Sequence, residues 1–346
     1  MRYGDFKDTY NKDEAIFQSL FVKFWLSLFI VFLFIFPFFV NEYILYIANL
    51  IGISIIGAHG LNLLTGFTGQ ISLGHAVFIG VGAYTSAILI TKVGISFWWT
   101  VPMAGLVSAF AGVIIGIPSL RIKGLYLAIS TLAAQFILEY IFKNWVVMTG
   151  GIRGINVPSP ELFGFRFDTE RRFYFIILFF VILSTLYARN LIRMRVGRAF
   201  IAIRDHDIAA ELIGINLFKY KLLSFAISSF YAGVAGCLWG SLMNIVTPYH
   251  FPLSRSIEYM AMVIVGGMGN ILGSIFGAIF MVLVPEMLKI GTNPIKNIAV
   301  FQHIFGPLRE TVFGALIVLF LVFEPRGIAE IWRRIKVFFL MWPFSY

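Results

Sequence analysis

The chain has 346 residues, 59% hydrophobic and only 13% charged, with 38 phenylalanines and a formal net charge of +10. With a mean hydropathy of +0.88, too little charge is present to cover a water-soluble surface of this length, so the solvent is mostly lipid. The basic residues sit in loops between apolar runs, with no aromatic-interleaved basic domain. That excludes a nucleic-acid-binding module and fits the positive-inside pattern of a cytoplasmic-membrane protein.

Ten hydrophobic segments follow one another, at about 22–40, 43–62, 72–91, 98–117, 124–142, 172–190, 220–246, 256–267, 270–290 and 311–324. Most are close to the length that crosses a hydrocarbon core as a helix. The polar stretch MRYGDFKDTYNKDEAIFQ precedes the first and no small-residue cleavage site follows it, so it reads as a true span rather than a signal peptide. Arg121 and Lys123 mark one short turn. Arg189, Arg193, Arg195, Arg198, Arg204, Lys219 and Lys221 mark a longer loop, and Arg326, Arg333, Arg334 and Lys336 the C-terminal tail. Ten spans place all three on the cytoplasmic side, together with both termini, and leave the first external loop, Asn41-Glu42, without Lys or Arg. The expected fold is an all-α polytopic membrane protein, a single transmembrane domain over 1–346. A cytoplasmic loop falls at about 190–220, and long external loops at 143–171 and 285–310. The first external loop of that size holds the turn-rich NWVVMTGGIRGINVPSP, with Thr149, Gly150, Gly151 and Arg153.

Two stretches interrupt the apolar pattern. In LNLLTGFTGQISLGH, Asn62, Thr65, Gly66, Thr68, Gly69, Gln70, Ser72 and His75 stand between apolar runs. Irregular backbone survives in hydrocarbon only where protein or a water-filled cavity covers it. Gly66, Gly69 and Gly74 permit such a break, and a broken or re-entrant segment lining a polar path is therefore favoured over tight helix packing through Gly74, Gly80 and Gly82. The second stretch holds Gly266, Gly267, Gly269 and Asn270. Gly66-Phe67-Thr68-Gly69-Gln70-Ile71 echoes Gly266-Gly267-Met268-Gly269-Asn270-Ile271, both G-x-x-G-[QN]-I, and so points to an inverted repeat of the transporter kind.

Catalysis finds little support. Ser72 and His75 share a helix face, but no acid orients the histidine and the sequence has no G-x-S-x-G elbow, H-E-x-x-H or phosphate loop. The single cysteine, Cys237, lies in an apolar run and allows no internal disulfide. Neither a metal site nor a cofactor is expected on this chain.

The cytoplasmic segment RVGRAFIAIRDHDIAAELIGI combines apolar residues near helical spacing with a mixed-charge face. Gly197 and Gly214 bracket it. Arg198, Ala199, Arg204, Asp205, Asp207, Ala209, Ala210 and Glu211 are its candidate docking residues, with Asp207 as cap of a second short helix. Small alanines and mixed acids fit a groove in another protein better than a lipid surface.

The chain resembles the branched-chain amino-acid permease family of ABC importers, as the longer of two paired permeases. The resemblance runs over about 50–330. It is carried in order by GLNLLTGFTGQISLGHAVFIGVGAYTSAIL (60–89), LRIKGLYLAISTLAAQFILEYIFKNWVVMTGGIRGI (120–155), GRAFIAIRDHDIAAELIGINLFKYKLLSFAISSFYAGVAG (197–236), VGGMGNILGSIFGAI (265–279) and EPRGI (324–328). It implies the inner membrane of a prokaryote, a second homologous permease in a heterodimer, two cytoplasmic ATP-binding subunits and an extracytoplasmic substrate-binding protein. The segment 197–214 then matches the part that enters the ATPase. Two positions depart from the pattern: Gln135 stands where relatives often carry an acid, and Arg153 where small or polar residues are common. A permease for urea or short amides, and an ATP-independent channel or carrier, are the alternative readings. A carrier would need membrane-embedded acids for ion coupling, and its only clear candidates, Glu139, Glu258 and Glu286, each stand near a span end, which counts against it.

Overall fold

A computed structural model describes residues 20–120, 125–162, 165–292, most of 311–324, and 327–341. Thirteen helices are named here in chain order. They are α1 (Leu20–Ile35), α2 (Glu42–Leu61), α3 (His75–Ile88), α4 (Phe97–Ser119), α5 (Leu125–Asn144), α6 (Val146–Thr149) and α7 (Glu170–Arg193). After them come α8 (Arg195–Asp205), α9 (Asp207–Leu212), α10 (Leu217–Met243), α11 (Leu253–Gly266), α12 (Ile271–Thr292) and α13 (Ile328–Met341). Wider π-type turns extend α2 through Gly66 and α3 through Val93. Including those turns, five of the described helices are long and apolar enough to cross a membrane: α2, α3, α4, α7 and α10. The protein is an all-α polytopic membrane protein. Only scattered helical positions describe the last expected span, 311–324, and Arg121, Lys123 and Arg326 lie outside the described residues.

Side-chain size decides which helices are inside. Of the apolar stretch of α2, 72% is buried, and of α10 67%, against 39% for α4 and 28% for α7. Small residues let α10 occupy the centre. A Cβ on Gly236 would stand 1.9 Å from the Ile79 carbonyl oxygen of α3, so no other residue allows this approach without displacing a backbone. The outer faces carry Phe24, Phe29, Phe32, Leu106 and Phe110, all more than half exposed, as a lipid-facing surface requires.

The expected external loop 143–171 is structured. Thr149 Oγ1 donates to the carbonyls of Phe142 (2.8 Å) and Trp145 (2.9 Å), while Gly150 and Gly151 take positive φ to turn the chain. Strand β1 (Ile155–Asn156) then pairs with a later strand (Ile245–Val246) that follows α10, and Val157 N donates to Asn244 O at 2.9 Å. A second small hairpin joins Glu161–Leu162 to Phe165–Arg166. Arg153 is exposed. The other expected external loop begins later than the sequence indicates, because α12 continues to Thr292 in spite of Pro285. Residues 293–310 lie outside the described residues.

One genuine break lies where the sequence places it and one does not. Residues 67–74 run without regular helix from the end of α2 into the bundle, so α3 begins inside the protein. The stretch 267–270, by contrast, is a tight turn between α11 and α12. Its glycines reach positive φ, 120° at Gly267 and 76° at Gly269. The second break precedes α11: residues 247–252 include Pro248 and Pro252, and α11 has only 14 residues. At 1.5 Å per residue such a helix spans about 21 Å, short of a ~30 Å hydrocarbon core. Nor do the two G-x-x-G-[QN]-I stretches oppose each other. A Cβ on Gly57 would meet Tyr259, and one on Gly66 would meet Gly269 N at 2.4 Å. So α2 and α11 run in the same sense and bring both stretches to one end of the bundle. The echo therefore supports no inverted repeat.

Candidate functional site

The residues expected to line a path converge on a buried joint at that end. Asn62, 1% exposed, ties the two glycine-rich stretches together. Its Nδ2 donates to Asn270 O (2.8 Å) and Ser274 Oγ (2.7 Å), and its Oδ1 accepts from Gly269 N (2.9 Å). Thr65 Oγ1 donates to Gln70 O and Thr68 Oγ1 to Leu63 O, so both threonines stitch the turn to itself. Gln70 Nε2 donates to Ser224 Oγ (2.7 Å) and Lys221 O (3.3 Å) at the start of α10. Gly66 and Gly266 are buried in backbone contacts. Most of the polar set thus satisfies backbone groups freed by the break. Gln70 Oε1 and Ser72 Oγ are buried without a partner among the described residues.

The start of α3 shows why the break is tolerated. A helix that begins inside a bundle strands its first N–H groups away from water. Here neighbouring helices supply the acceptors: Leu73 N donates to Thr131 Oγ1 (2.9 Å), Ala76 N to Ser256 Oγ (2.9 Å) and Val77 N to Gln135 Oε1 (3.1 Å). Gln135 Nε2 donates in turn to Phe251 O at 2.8 Å, beside the second break. His75 Nε2 meets Gly57 O at 2.9 Å, and its ring packs edge-on against Tyr259. Gln135 was legible only as a departure from the family pattern. In the structure it is the cap of α3 and the tie between the two breaks.

Beside this joint lie the two short helices of the segment 195–214. Gly197 is buried where a Cβ would stand 2.2 Å from Ile192 Cα, which permits the sharp turn from α7 into α8. Ala199, Phe200 and Ile203 face inward at 5%, 0% and 4% exposure, while Arg198 faces out. Arg204 Nη1 donates to Gly66 O at 3.0 Å, and the same side chain pairs with Asp205 at 2.9 Å. His206, with φ −160°, separates α8 from α9. Asp207 is the first residue of α9 and His206 stands at the cap position, contrary to the sequence expectation; the Asp207 carboxylate lies 3.8 Å from Lys221 Nζ. Gly214, at φ 89°, closes α9, with Gly214 N donating to Glu211 O and Ile215 N to Ala210 O.

The two alanines of α9 do not act alike. Ala210 is 2% exposed, packed on its own chain, whereas Ala209 and Glu211 are exposed. The outward apolar face consists of Ile208 (60%), Leu212 (83%) and Ile213 (75%) with Ala209. Leu212 escaped the sequence reading, and Ile213 enters it only as an apolar residue at helical spacing, although an apolar pair before a glycine in a charged loop is a detectable signal. A polar cleft of about 330 Å³ separates α8 from the turn, lined by Thr68, Gly69, Gln70, Arg204, Asp205 and Lys221 among others. Among the described residues no cluster of metal-ligating side chains occurs.

Comparisons with known proteins give the family. A family model described as branched-chain amino acid transport system / permease component matches residues 43–321. The high-affinity branched-chain amino acid transport system permease protein LivM of Salmonella typhimurium is 33% identical over 321 residues, covering 86% of this chain and 72% of that protein. LivM of Escherichia coli K12 is 34% identical over the same span, and LivH of that organism 26% identical over 294 residues, 78% of this chain and 89% of LivH. No solved structure matches this chain. By the extent of both matches, the chain belongs to the family of branched-chain amino acid transport system permease components.

Proposed function

We propose that this chain is one transmembrane half of an ATP-driven importer for branched-chain or similar small apolar amino acids. It works beside a second, homologous permease, two cytoplasmic ATP-binding subunits and an extracytoplasmic substrate-binding protein. The family supports the solute class. The observation that carries the mechanism is the exposed apolar face of α9, joined through Arg204 to Gly66 and through Asn62 to Gly269 and Asn270. Closure of the ATPase pair pushes on α9, and that push reaches both glycine-rich turns. The turns act as a moving joint beside the path, and α3 and the half-helix α11 shift with them to alternate access between the two sides.

In this reading the end bearing α8, α9 and α13 faces the cytoplasm and both termini lie there. The chain crosses the membrane ten times, with 244–266 crossing as extended chain plus half-helix. The pairing of β1 with residues 245–246 connects the external loop, where the binding protein docks, to the second break. An ion-coupled carrier is disfavoured by the partners of its candidate acids. Glu139 pairs with Lys143, Glu258 with Arg255 and Glu286 with Lys289, each within one helix, so each acid is already neutralised.

Docking is tested with the purified complex. Leu212→Asp places a charge where an apolar side chain seats; losing a buried leucine alone costs about 1.5–3 kcal/mol. The ATP-binding subunits are expected to fall away in detergent while the second permease stays. If Leu212→Asp retains them and keeps solute-stimulated hydrolysis, α9 is not the coupling element. Ala210→Trp is a poorer probe, since Ala210 packs inside this chain.

A further inference from the structure

Arg255 and Glu258 place two opposite charges near the start of α11, one helical turn and 2.7 Å apart, with 30% and 20% of their side-chain surface accessible. This is no membrane-surface position. Ser256, between them, is 0% exposed and joins Ala76 N to Gln135 deep in the bundle. Charges held at such depth are costly, pair with one another, and mark solute paths. The surroundings are aromatic. The Arg255 guanidinium lies 4.9 Å from the Trp239 ring centre, and His250 packs edge-on against the same ring at 6.4 Å. Trp239 Nε1 and His250 Nδ1 are buried without hydrogen-bond partners among the described residues. Ile257, on the same turn, is 46% exposed.

We propose that Arg255, Glu258 and Trp239 form a subsite for the backbone of a zwitterionic amino acid. This rests on the import reading above and adds where and how the solute is held. The solute's carboxylate takes the guanidinium as a two-pronged acceptor. Its ammonium takes the Glu258 carboxylate and the face of Trp239. One internal ion pair is exchanged for two solute contacts, so no net charge enters or leaves the low-dielectric interior. A urea-like neutral amide or a simple anion does not satisfy both charges at once. The subsite therefore selects α-amino acids as a class, whatever their side chain.

The test uses the full complex in lipid vesicles, with its binding protein and radiolabelled leucine as the probe. Arg255→Gln and Glu258→Gln are each expected to lower uptake by roughly tenfold or more, because each leaves one charge of the solute without a partner. Co-purification of the ATP-binding subunits should be unchanged. The double exchange Arg255→Glu with Glu258→Arg keeps an i,i+3 ion pair but moves the cation off Trp239, and uptake should stay low. Recovery by that exchange to near the unaltered rate makes the pair merely structural and overturns the proposal. So do single variants that transport normally, or single variants that no longer assemble. If the unaltered complex takes up no amino acid at all, the import reading itself is overturned, and this inference falls with it.

Discussion

Asn62→Leu is expected to be among the most damaging single substitutions in the chain, although Asn62 is far from any surface. It removes two donated hydrogen bonds and one accepted bond at once, to Asn270 O, Ser274 Oγ and Gly269 N. Ser274 is 0% exposed, so water does not replace what is lost. A buried group left unpaired costs about 1–3 kcal/mol, and here several are left together. The expected result is a large fall in the thermal midpoint of detergent-purified protein and in the yield of monodisperse complex. Thr65→Val, which deletes the single bond to Gln70 O, is expected to cost about 1 kcal/mol. If the two variants are equally stable, Asn62 does not join the two turns.

Gln135→Leu comes second. It strips the acceptor from Val77 N and Ser256 Oγ and the donor from Phe251 O, uncoupling the start of α3 from the break before α11. Assembled protein and solute uptake should fall together. Gln135→Glu keeps the acceptor for Val77 N but buries an ionisable carboxyl against Phe251 O, so it should lie between leucine and the native glutamine. Full uptake by Gln135→Leu, at normal amounts of assembled complex, would mean that α3 needs no internal cap.

The spans were largely legible because lipid imposes one rule: backbone groups must be paired within the segment. Apolar runs at 43–62, 98–117 and 172–190 became α2, α4 and α7 with ends shifted by a few residues. The first break was legible too, since glycines and hydrogen-bonding side chains crowd one turn. The second was not: Pro248 and Pro252 look like any connector, and only the bond from Gln135 to Phe251 O and the pairing of residues 245–246 with β1 show that this stretch lies within the protein. Periodicity placed Ala209 and Ala210 on one helix but could not say which faces inward. Consecutive residues point about 100° apart, so tertiary packing selects one of them, and it selects Ala210. The tail was read as charge alone. In the structure Arg333 and Arg334 ride on a helix whose Glu330 pairs with both.

The central claim is that ATP hydrolysis on partner subunits moves solute past this chain. Its most direct test is leucine uptake into vesicles containing the chain, the second permease, both ATP-binding subunits and the binding protein. Accumulation that requires ATP, requires the binding protein, and disappears with Leu212→Asp is the predicted result. Leucine flux at the same rate without ATP or without the ATP-binding subunits would contradict the account.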